Sequence, residues 1–70
     1  MSDWPASKAA KVFKTLLRIG WQVKHQRGSH VVLARAGYDE YVWAFHEDEE
    51  IGPCMLARIA KKTGLTPEDL

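Results

Sequence analysis

The sequence predicts an α+β fold in the order helix, three antiparallel strands, helix. Three observations predict it. Apolar residues recur at helical spacing between Ser7 and Gly20. Across residues 21–46 the period shortens to alternation, interrupted twice by glycine-containing turns. A second helical stripe opens at Pro53 and closes at Gly64.

In the first helix, Ala9, Val12, Phe13, Leu16 and Ile19 are spaced by three and four and make one apolar stripe. Ser7 suits the N-cap and Gly20 the residue just past the end. Lys8, Lys11, Thr15 and Arg18 fall together on the other side. Trp21-Gln22-Val23-Lys24 then alternates as a half-buried strand does, and Arg27-Gly28 reads as a hairpin turn. Ser29 to Arg35 is the middle strand, centred on Val31-Val32-Leu33. Ala36 to Glu40 is a second turn, and Tyr41 to His46 a third strand. Connections this short require antiparallel neighbours.

Glu47 to Glu50 is an acidic loop, suited to the positive end of the helix that Pro53 begins. Met55, Leu56, Ile59 and Ala60 are its expected buried side, and Lys61 and Lys62 favour its C-terminal end. Thr66 to Asp69 can cap a short final turn. Two amphipathic helices on one face of a three-stranded sheet would bury both stripes. That is the arrangement of the double-stranded RNA-binding domain. A fold does not fix a function, so any site needs its own argument.

At 70 residues the chain is expected to be one domain, residues 1–70. A chain of that size buries only about 60% of its unfolded surface, so the core must be compact. No apolar run is long enough to span a bilayer. Met1 to Pro5 lacks the basic and apolar segments of a leader, which makes the cytoplasm the expected location. Cys54 is the single cysteine, excluding an internal disulfide and a thiolate zinc cage. Net charge is +1, so a nucleic-acid site would have to come from local clustering of basic residues.

One such cluster stands at the hairpin. Arg27 can pair with a phosphate, Gly28 leaves its backbone open to one, Ser29 adds a hydroxyl, and His30 can exchange protons near neutral pH. An ordinary turn followed by an ordinary strand residue fits the same residues and, on the residues alone, weighs more. His46 shares parity with Val42 and Ala44; it is open to pairing with His30, to RNA contact or to a structural role at the strand end. His25 is expected exposed on the hairpin. The three histidines lack zinc-motif spacing, so no metal and no cofactor is expected. Lys8, Lys11 and Arg18 suit phosphates or simply a solvated helix face. Tyr41, Trp43 and Phe45 share one side, where core is favoured over base stacking or a partner surface. The acidic loop would repel RNA, placing any RNA path away from it.

Gly20-Trp21, Gln26-Arg27-Gly28-Ser29-His30, His46, Pro53, Leu56, Ile59 and Gly64-Leu65, in that order and spacing, resemble the HicA toxin family. The chain departs from that family's usual residues at His25, Val31, Ala44 and Cys54. The resemblance runs from about Ser7 to the C-terminus. It implies a double-stranded RNA-binding-domain-like fold, metal-independent cleavage of messenger RNA, and neutralisation by a HicB-type antitoxin. It also implies that His30 is the catalytic residue, and it reverses the balance at the hairpin. Beside an endoribonuclease toxin stand two alternatives: a non-catalytic RNA-binding module of the same fold, and a degenerate toxin acting as a protein-interaction domain.

Overall fold

The helix expected after Ser7 begins two residues later, as α1 (Ala9–Arg18), in the computed structural model, which describes residues 4–70. Residues 1–3, part of the segment read as lacking a leader, lie outside the described residues. Ser7 is not the N-cap. Ser7 and Lys8 form a two-residue strand, β1, paired antiparallel with β5 (Glu50–Ile51), Ser7 opposite Ile51 and Lys8 opposite Glu50. So short a pairing leaves no periodicity to read. The stripe itself is as expected: Ala9, Val12 and Leu16 are buried. Thr15 departs from its expected place, for it is buried with them. Its hydroxyl donates to the Lys11 carbonyl at 2.8 Å, which makes that burial tolerable.

The acidic run also serves a different helix from the one expected. No acidic residue stands in the first turn of α2 (Pro53–Thr63). Instead the Ala9 N–H donates to the Glu49 carbonyl at 2.8 Å, and the Ala10 N–H to the Glu47 carbonyl at 3.3 Å. The loop caps α1 with its backbone, satisfying donors that every helix start leaves over.

The three-stranded sheet has the order β2 (Gln22–Arg27), β3 (His30–Ala34), β4 (Tyr41–Trp43), antiparallel throughout. A bulge between Val23 and His25 interrupts the β2–β3 register. The third strand ends at Trp43, so residues 44–46, expected as strand, run on irregularly. In α2, Pro53 occupies the first turn and Gly64 ends the helix at φ 77°, the left-handed conformation that favours glycine. Leu56 and Ile59 are buried as expected, Ala60 is half-buried, and Met55, expected inside, is 39% exposed. Thr66 and Asp69 cap the short final turn at residues 67–69.

Both helices and one side of the sheet meet in a single core. Val12, Leu16, Leu56 and Ile59 pack with Leu33 and Trp43, and Val31 and Tyr41 join them partly buried. Each such side chain contributes about 1.5–3 kcal/mol when fully removed from water. The other side of the sheet stays open, with Val42 53% exposed. The architecture is thus the α+β, double-stranded RNA-binding-domain-like one expected. Trp21 locks it: its indole N–H donates to the Thr63 carbonyl at 3.0 Å, and its ring lies 5.5 Å from that of Tyr38. Among the described residues no helix is long and apolar enough to cross a membrane.

Candidate active site and groove at the hairpin tip

β2 and β3 are joined by two residues, Gly28 and Ser29. Gly28 has φ 61° and among the described residues no non-glycine residue has positive φ, the pattern of a type II′ turn with glycine first. The turn is therefore Gly28-Ser29 rather than Arg27-Gly28. Arg27 becomes the last residue of β2 and pairs directly with His30, the first of β3. Directly opposed residues in an antiparallel pair project to the same side. The guanidinium and imidazole thus share the open side of the sheet, together with His25, which pairs with Val32. All three are exposed. Among the described residues the His30 ring makes no hydrogen bond. A side chain built on Gly28 would meet nothing within 4 Å, so the backbone there is open to a phosphate. The Gln26 side-chain amide donates to the Gly28 carbonyl at 3.3 Å and braces the turn.

Ser29 is the second residue of the turn. It borders a groove of about 360 Å³ between α1 and the hairpin, lined also by Phe13, Trp43 and Phe45. Gln26, His46, Lys14 and Glu47 add its polar and charged groups. His46 is thus brought to Ser29 and not to His30, which does not line the groove; alternation along β3 separates the two histidines. Glu47 lines it too, so the acidic loop is nearer to this part of the hairpin than expected. Trp43 is buried, and Tyr41 and Phe45 are half-buried against the core, the reading favoured for them. Burial pushes the Tyr41 phenol above its ordinary pKa.

Lys8 of β1 and the basic residues of α1, Lys11, Lys14 and Arg18, line an adjoining cleft. Lys8 donates to the Asp48 carbonyl at 3.2 Å, and Arg18 to the Asp69 carbonyl. Lys11 and Lys14 are exposed and, among the described residues, have no such partner. Lys14 borders both cleft and groove, a position sequence reasoning passed over. The signal was present, since Lys8, Lys11 and Lys14 recur at every third position. Gln26 stood inside the quoted motif without a role assigned. Among the described residues no group of three His, Cys, Asp or Glu side chains could hold a metal ion.

The chain matches the family described as HicA toxin of bacterial toxin-antitoxin over residues 9–65. It belongs to the HicA toxin family. No curated protein and no solved structure matches it. The HicA match contains the hairpin tip, the groove, Lys11 and Lys14, and ends just past Gly64. Lys8 lies outside it. Membership gives the broad function, that of the toxin in a bacterial toxin–antitoxin pair.

Proposed function

We propose that this HicA toxin is a single-domain cytoplasmic endoribonuclease that cuts messenger RNA without a metal or cofactor, using His30 to move the proton. One observation carries the reading: Arg27 and His30 face each other across the hairpin end, on the open side of the sheet. RNA holds its own nucleophile. His30 takes the proton of a ribose 2′-hydroxyl, and the 2′-oxygen bonds to the adjacent phosphorus. The bond from phosphorus to the 5′-oxygen breaks, and that oxygen takes a proton from solvent. The products are a 2′,3′-cyclic phosphate and a free 5′-hydroxyl. Arg27 pairs with the phosphate oxygens, and the bare backbone of Gly28 and the hydroxyl of Ser29 let the strand come close. Lys11, with Lys8 beside it, supplies the electrostatic hold on the remaining backbone, and His46 contributes from the far side of the turn. A HicB-type antitoxin covering the hairpin tip would exclude RNA from both residues.

The test is cleavage of a long single-stranded RNA by purified protein in excess EDTA. His30→Ala, at an exposed position, should keep the wild-type circular dichroism spectrum and lose activity by about a hundredfold or more. A folded, fully active His30→Ala protein removes His30 from the mechanism. Salt-sensitive RNA binding by wild type with no cleavage would favour the non-catalytic RNA-binding module. No measurable RNA affinity at low salt would favour the protein-interaction reading.

A further inference from the structure

The proton transfer proposed above does not use the groove between α1 and the hairpin. Its chemistry is distinctive. The aromatic residues form a connected series, with the Trp43 ring 5.6 Å from Phe13 and 4.9 Å from Phe45. Its volume of about 360 Å³ is that of a small-ligand pocket, for which about 300–1,000 Å³ is usual. It reaches the start of α1, yet it is unsuited to an anion. The N–H groups of Ala9 and Ala10 are already spent on the carbonyls of Glu49 and Glu47. Glu47 itself, an acidic residue, lines the groove. Charge changes sign only at Lys14, which the groove shares with the basic cleft of α1.

The half-buried rings of Phe13 and Phe45, inclined at 55° and 62° to the buried Trp43 between them, polar groups from Gln26 and His46, and a cation at the junction suit one unpaired nucleotide. Its neutral base would enter and its phosphate would stay toward Lys14. Single-stranded RNA is recognised in this way, by bases splayed from the stack onto aromatic side chains. Ser29 lines the groove while its neighbour His30 does not, so a strand crossing the open turn at Gly28 meets the groove on one side and the imidazole on the other.

We infer that this groove is a nucleobase subsite, which holds one unstacked base of a single-stranded RNA and thereby selects where the strand is cut. Its role in selection rests on the nuclease reading; its ability to bind a base does not.

The test separates the two. Four single-stranded pentanucleotides, identical except for the central base, are titrated into ¹⁵N-labelled His30→Ala protein and followed by NMR. The expected shifts centre on the Trp43 indole and the Gln26 side-chain amide. Affinity should vary with the central base and fall about tenfold in a Phe45→Leu variant. Should Phe45→Leu not fold, Gln26→Ala at its exposed position is expected to level the differences between bases. Shifts confined to the open sheet face, equal for all four RNAs and unmoved by these variants, overturn the subsite. So does a groove that responds only to the antitoxin, which would make it a protein contact. Base binding in the groove by a wild-type protein that cuts no RNA would instead leave the subsite standing and sink the nuclease reading.

Discussion

The indole N–H of Trp21 donates to the backbone carbonyl of Thr63 at 3.0 Å, with both residues buried. This bond ties the chain leaving α1 to the last turn of α2, across 42 residues of sequence. Trp21→Phe keeps most of the apolar bulk but leaves the Thr63 carbonyl without that donor. It should cost about 1–3 kcal/mol, the usual penalty for an unsatisfied buried group. Urea denaturation measures it; a change under 0.5 kcal/mol would show that water or a shifted backbone replaces the bond.

Gly64 is the next point of weakness. Its φ of 77° is left-handed, and a Cβ there would lie 2.6 Å from the Tyr38 hydroxyl. Gly64→Ala should cost about 2 kcal/mol, combining the conformational penalty with displacement of Tyr38. For a domain this small that is a fall in Tm of about 8–16 °C. Differential scanning calorimetry checks it, and an unchanged Tm would show that the helix end relaxes freely.

Arg27→Lys preserves charge and loses the planar fork that grips two phosphate oxygens. We expect kcat/KM for RNA cleavage to fall about tenfold, equal to ~1.4 kcal/mol, with the fold unchanged. Equal rates for the two proteins would reduce Arg27 to a point charge.

Lys11 and Lys14 are the exposed cations of α1 without a bonded partner among the described residues. Replacing both by Gln should weaken RNA binding regardless of sequence. It should also reduce the slope of log affinity against log salt by about 1–2. An unaltered slope would place the RNA backbone elsewhere.

Acid titration has a readable sign at Glu40. The hydrogen bond and charge of Lys24 hold its carboxyl below the usual carboxylate range. A carboxylate depressed in the folded state stabilises above its unfolded pKa, and that contribution disappears as pH falls through the folded value. Lys24→Ala should therefore return the Glu40 side-chain NMR titration to the ordinary range and remove its part of the pH dependence near pH 4. The same midpoint in both proteins would mean that the ion pair does not persist in solution.

Periodic elements were the legible part of this fold. α1, α2 and the three strands follow from stripes at Val12 and Leu16, at Leu56 and Ile59, and from alternation around Leu33. The pairing of Ser7–Lys8 with Glu50–Ile51 was not legible, because two residues carry no period and their partners are distant in sequence. Thr15 was misplaced because polarity predicts exposure only until a hydrogen bond within its own helix satisfies the hydroxyl, and Met55 because an apolar residue beside a buried stripe carries no mark of its own exposure. At the site, the cluster from Arg27 to His30 was visible as neighbouring letters. Its separation from His46 depended on which side of β3 each residue faces, and the groove depended on three-dimensional proximity of Phe13, Lys14 and Ser29.

The irregularity at Lys24 has an outcome that reaches the hairpin. Val23 opposes Leu33, and uninterrupted counting from there would set Gln26, not Arg27, against His30. The one extra residue shifts every later partner by one place and reverses which surface each side chain meets. The bulge, and not the number of residues between Trp21 and Gly28, therefore decides which residue meets His30. Flattening the bulge with Lys24 kept in the strand would carry the guanidinium away from the imidazole, whereas deleting Lys24 would remove the irregularity and leave Arg27 opposite His30.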